Sequence, residues 1–178
     1  MALWGNSTTD ESRPKWLRAN DNPGNDLNKC FADDRGWVLR HPNGYEEVLV
    51  TISGLKTKLG NATIAGVYFK AATYAKNATG TVVVNYNEKV TVSVGATLAV
   101  TGSSTGAITA TAAAQTGVQQ AEFTFTVPNT TQTLSIAGQT ISGTIVDVGT
   151  ATASDKIFTT GEVKGVTGVG SVKTISVA

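Results

Sequence analysis

The segment "AEFTFTVP", residues 121–128, sets Phe123, Phe125 and Val127 on one side of an extended chain and Glu122, Thr124 and Thr126 on the other. Period-two alternation belongs to the β-strand, so one face of this segment is core and the other is wet. The pattern recurs in "KVTVSVG" (Val90, Val92, Val94), "TLAVTG" (Leu98, Val100), "GAITATA" (Ile108, Ala110, Ala112), "TLSIAG" (Leu134, Ile136) and "TISGTIVDV" (Ile141, Ile145). Short strands separated by Gly, Asn, Ser and Thr predict an all-β fold, an Ig-like or jelly-roll-like β-sandwich. Within it "GTVVVNYNEKVTVSV" reads as a hairpin turning at Asn87 and Glu88, with Val84 facing Val90 and Val82 facing Val92. "GVYFKAATYAKN" fits a strand or a short helix.

The chain changes character along its length. All three tryptophans, the single His41 and the single Cys30 lie before residue 42, whereas between Val90 and Val146 the only Asp, Glu, Lys or Arg is Glu122. This divides the 178 residues into an extended N-terminal arm (1–28), a β-hairpin segment able to join the sandwich (29–60) and the β-sandwich domain (61–178). In the hairpin "RGWVLRHPNGYEEVLVTISG", Asn43-Gly44 is the favoured two-residue type I′ turn, since both residues tolerate positive φ. Pairing outward sets His41 against Glu46, Arg40 against Glu47, Leu39 against Val48 and Trp37 against Val50. Charge-complementary pairs near the turn and apolar pairs beyond it make a sound cross-strand ladder.

A formal charge of +1 shows no basic footprint, so no nucleic-acid partner is expected. No apolar run approaches the ~18 residues of a membrane span, and "MALWGNSTTDE" has no basic or apolar signal region, so neither a membrane partner nor export is expected. One cysteine excludes an intrachain disulfide framework and points to synthesis in a reducing compartment. The N-x-S/T triplets at Asn6, Asn61, Asn77 and Asn129 are what an Asn- and Thr-rich chain makes by chance.

Catalysis fails by subtraction. Any Ser-His-Asp or Cys-His triad would have to use His41, whose carboxylate neighbour the hairpin already explains. Asp33 and Asp34 are adjacent, so in extended chain their carboxylates point apart and read as a solvated turn. "GVTGVGSVK" lacks the P-loop order, and "NDNPGNDLN", though rich in oxygen ligands, departs from the EF-hand spacing. No enzyme activity, no cofactor and no metal is expected.

The arm carries Leu3, Trp4, Trp16, Leu17 and Leu27, followed at once by Phe31, in a run of Asn, Asp, Ser, Thr and Pro. So few apolar groups cannot offset the entropy of ordering about 30 residues, at roughly 1–2 kcal/mol each. These six side chains are therefore the candidate partner-binding residues, with Trp4 and Trp16 as anchors.

"MALWGN" and "CFADDRGWVLRHPNGYEEVLVTISGL" at residues 30–55 resemble the N-terminal region of small virion structural proteins of marine tailed bacteriophages, especially cyanophages. The resemblance covers roughly the first third of the chain. It implies a non-enzymatic capsid decoration or cement protein, made in the host cytoplasm and placed on the outer capsid surface of the virion. Its implied partners are the major capsid protein and further copies of itself, as a homo-oligomer such as a trimer. The alternative is a neck, tail or fibre component, or a host-surface adhesion module.

Overall fold

The computed structural model describes residues 27–168 and 173–178. Leu3, Trp4, Trp16 and Leu17 lie outside the described residues, as do residues 169–172 of the glycine-rich loop and all of "NDNPGNDLN" except its last two residues. The fold is all-β. Its strands are β1 (Cys30–Asp33), β2 (Gly36–Arg40), β3 (Glu46–Thr51), β4 (Ile64–Phe69), β5 (Thr73–Tyr74), β6 (Thr79–Val92), β7 (Thr97–Gly102), β8 (Gly106–Thr111), β9 (Gln115–Thr126), β10 (Gln132–Ser135), β11 (Gln139–Thr140), β12 (Ile145–Asp147), β13 (Ile157–Phe158) and β14 (Ile175–Val177). One helical turn, α1 (Leu55–Lys58), follows β3.

Twelve strands form one mixed sheet in the order β3-β2-β1-β6-β9-β8-β7-β10-β14-β5, with β4 and β12 branching from β6. The sheet curls so that its inner face closes on an apolar core containing Val82, Val84, Tyr86, Phe123, Phe125, Leu134, Ile145 and Ile175. The alternation in β9 is observed as expected: Phe123 and Phe125 are buried while Thr124 and Thr126 are exposed. Phe125 meets Phe69 and Tyr74 edge to face at 6.4 and 6.3 Å, and its ring lies over Gly80, where a Cβ would collide with it. Val94, though in phase with Val90 and Val92, falls beyond the strand and is 75% exposed. "GVYFKAATYAKN" resolves as the end of β4 and the short β5 joined by a bend, with the valine, tyrosine and phenylalanine of β4 buried.

Two expectations are corrected. The segment 79–92 does not turn back at Asn87 and Glu88; it runs through as the single 14-residue strand β6. Neither residue has the positive φ of a two-residue hairpin turn. Instead Asn87 donates its backbone N–H to the Thr63 carbonyl at 3.0 Å and accepts the Thr63 N–H on Oδ1 at 2.7 Å, which holds it extended. The irregularity falls in the pairing: Asn85 opposes Gln120 but Val90 opposes Val118, so residues 86–89 bulge from the β9 ladder.

The second correction concerns the β2–β3 hairpin, where Trp37 does oppose Val50 but Val38 opposes Val48, Leu39 opposes Glu47 and Arg40 opposes Glu46. The loop is Pro42-Asn43-Gly44, closed by Gly44 N–H to the His41 carbonyl at 2.9 Å and His41 N–H to the Tyr45 carbonyl at 2.8 Å. A two-residue turn would require Pro42 to donate an N–H that it lacks. The chain therefore takes the three-residue loop with Gly44 at φ +85°. A bulge between Trp37 and Val38 absorbs the extra residue.

The hairpin segment joins the main sheet through β1, whose Ala32 pairs in parallel with Glu88 of β6. It has a small core of its own, Cys30, Ala32, Trp37, Leu39 and Leu55, separate from the main core. Asn28, the last residue assigned to the arm, is buried, and its Nδ2 donates to the Gly168 carbonyl at 2.8 Å. Its own carbonyl accepts from Nε2 of the buried Gln119.

Candidate functional site: the seam between two cores

Strand β6 buries its even-numbered residues, and Tyr86, Glu88, Val90 and Val92 all point inward. A glutamate thus occupies an apolar phase and is 1% exposed. On one side it pairs with Ala32 of the hairpin core. On the other, β12 runs antiparallel with Asp147 opposite Val90, which brings the fully buried Asp147 close to Glu88 on the inner face.

The two carboxyl groups differ in their partners. Asp147 accepts the Gly149 N–H at 2.6 Å and the Thr150 hydroxyl at 3.1 Å, so its charge is held by a short turn. Both oxygens of Glu88 lack a hydrogen-bond partner among the described residues. Burial, reinforced by the Asp147 charge, pushes the Glu88 carboxyl up to about 8, so it is largely protonated at neutral pH.

Beside Asp147 lies a cavity of about 350 Å³, lined from the hairpin side by Ala32, Asp33, Asp34, Arg35 and Lys56 and from the main-sheet side by Lys89, Asp147, Val148 and Gly149. Its cations are already engaged. The Arg35 guanidinium donates to Asp33 Oδ2 and to Glu46 Oε2, both at 2.6 Å, and Lys56 pairs with Asp34 at 2.7 Å. Lys89 sits 4.9 Å from the Phe31 ring centroid and 3.9 Å from Glu46. Hydrogen bonds from Arg40 and Arg35, with Lys89 nearby, hold the Glu46 carboxyl below its ordinary range.

The candidate residues of the sequence analysis that fall within the described residues are dispersed. Phe31 is fully buried in the chain's own interior, with Arg40 Cζ 5.3 Å from its ring centroid, so it offers no exposed surface to a partner in this fold. Leu27 opens a 3-10 turn at Leu27–Lys29. His41 is a hairpin-end residue, paired with Glu47 at 2.9 Å rather than Glu46 because of the register change. Cys30 is buried and Asp33-Asp34 form a turn whose carboxylates take different cations. Among the described residues no group of three or more His, Cys, Asp or Glu is arranged to hold a metal ion. Glu88 escapes a reading of the sequence that places it in a turn; the signal that reveals it is its phase, shared with Tyr86, Val90 and Val92.

A second concavity, about 310 Å³, lies on the outer face of β6, β8 and β9, lined by Thr79, Thr109, Thr111, Thr124, Thr126 and Phe125. Its one aromatic ring is 4% exposed, which leaves almost no stacking surface for a sugar.

A family model described as a family of unknown function (DUF7440) matches residues 16–119, more than half of the chain. The span includes Glu88 and the hairpin side of the seam and stops short of Asp147. No curated protein and no solved structure matches.

Proposed function

The chain belongs to DUF7440, a family of unknown function, and we propose that it is a non-enzymatic structural protein of a bacteriophage virion, a decoration or cement protein on the outside of the head. The observation that carries this reading is the sheet's open end. Strand β3 terminates the strand order, pairs among the described residues with β2 alone, and exposes Glu47, Val48 and Thr51. An open edge offers unpaired backbone groups to a strand of another molecule. It belongs to the hairpin unit, the part of the chain that follows the tryptophan-bearing arm. Arm and edge together supply an anchor and a rail for bridging copies of a major capsid protein, with the sandwich facing outward. The resemblance of "MALWGN" and of residues 30–55 to phage virion proteins supports the same assignment.

Copy number on purified particles tests the proposal. Hundreds of copies are expected for a head protein; six or twelve would favour the neck or tail alternative, and absence from the particle would end both. Trp4→Ala combined with Trp16→Ala should leave the melting temperature of the isolated chain almost unchanged and sharply reduce attachment to heads. Salt should have little effect on attachment, because the anchors are apolar.

A further inference from the structure

The hairpin unit is fixed to the main sheet at both of its chain ends. At one end Asn28 is tied to Gly168 and Gln119. At the other, Thr63 is tied to Asn87, and the Asn61 side chain accepts from Thr152 at 2.6 Å. Between these fixed points the two cores do not merge. What lies there is the single Ala32–Glu88 pairing, the 350 Å³ cavity, and the packing of α1 on the turn after β12, where a Cβ on Gly149 would stand 2.8 Å from the Lys56 carbonyl oxygen.

We propose that this seam is a proton-operated latch: with the Glu88 carboxyl neutral the hairpin unit lies closed against the main sheet, and removal of that proton loosens the unit about its two fixed ends. A neutral carboxyl is tolerated between two apolar cores, whereas a carboxylate without a hydrogen bond is not. Charged groups line the cavity next to the site. Asp33, Asp34 and Arg35 approach from the turn after β1, Lys56 from α1, Lys89 from β6 and Asp147 from β12. On the far side of Tyr86, the Asp155 carbonyl accepts the Tyr86 hydroxyl. Arg35 and Lys56 are bound to Asp33 and Asp34, and Lys89 lies over Phe31 beside Glu46, so compensating a Glu88 charge would require breaking one of these contacts. Asp147 adds repulsion. The least costly response is to let water reach Glu88 from the neighbouring cavity by lifting the hairpin side. Such a latch would change the presentation of edge strand β3 with pH, whatever the partner.

The experiment is amide hydrogen exchange on the full chain from pH 6 to pH 9.5, corrected for intrinsic rates. Protection in β1, β2, β3 and α1 should fall at least tenfold, with a midpoint near pH 8, while the β6–β9 amides around Val82 and Phe123 change much less. Glu88→Gln should abolish the transition. Should that variant fail to fold, Asp147→Asn, which keeps an oxygen acceptor for the Gly149 N–H, should move the midpoint to lower pH. An unchanged hairpin, an equal fall throughout the molecule, a transition that survives in Glu88→Gln, or a midpoint unmoved in Asp147→Asn would each overturn the latch.

Discussion

Gly36 has φ +130°, and a Cβ at that position would collide with the Val50 carbonyl across the β2–β3 pair. The backbone of one strand presses on the other where the bulge begins, and only a residue without a side chain fits. Gly36→Ala should cost on the order of 2 kcal/mol or more, read as a lower urea midpoint with loss of hairpin amide protection. Glu88 makes the second prediction at this scale. Its folded pKa is raised above the ordinary value, so between about pH 4.5 and about pH 8 the folded chain binds more protons than the unfolded one. Stability should therefore fall as pH rises across that window and level off above it, by up to roughly 5 kcal/mol. Glu46 works in the opposite direction. Its depressed pKa contributes stability that is present above about pH 4.5 and lost on acidification, and its partial exposure keeps that contribution small. Chemical unfolding of the parent and of Glu88→Gln at pH 5, 7 and 9 separates the two, since only the alkaline loss should vanish in the variant.

At the scale of the element, the hairpin shows how one residue redirects a turn. Asn43-Gly44 is a strong signal, but Pro42 beside it removes the donor that the shorter loop requires, and the ladder shifts by one near the turn. The charge pairs remain with different partners: Arg40 now reaches Glu46 at 2.8 Å. Strand β3, outermost, carries Val48 at 36% exposure. Val48→Lys should leave the unfolding midpoint within about 0.5 kcal/mol of the parent, because the site is at the surface, while impairing attachment to particles, because a charge on an edge strand discourages pairing. Full attachment by a stably folded Val48→Lys would argue against use of this edge.

At the scale of the whole molecule, closure depends on the last few residues. β14 pairs antiparallel with β10 and parallel with β5, joining Ser176 to both Thr133 and Thr73. Ile175 and Val177 are each 1% exposed in the main core. Removing residues 175–178 takes away two buried side chains, each worth about 1.5–3 kcal/mol, and exposes the facing edges of β10 and β5. Such a chain should unfold at markedly lower denaturant and aggregate on warming, measured by light scattering alongside circular dichroism. Pairing of Thr73 with Ser176, more than a hundred residues apart, should also make the fold close late, after local hairpins such as β7–β8 have formed.

Local sequence is enough to establish the strand character and the inward phase of nearly every long strand. Alternation is a local property, and residues such as Phe123, Leu98 and Ile145 carry it without reference to the rest of the chain. The same local signals establish that the charged N-terminal third forms a hairpin. Whether Asn87 and Glu88 end a strand or continue one is settled in three dimensions, because it depends on Thr63, 24 residues away, hydrogen-bonding to both the backbone and the side chain of Asn87. So is the burial of Glu88 beside Asp147, 59 positions later and in a different strand. A carboxyl group's environment is set by what the fold packs around it, and no pattern of spacing within one strand contains that information.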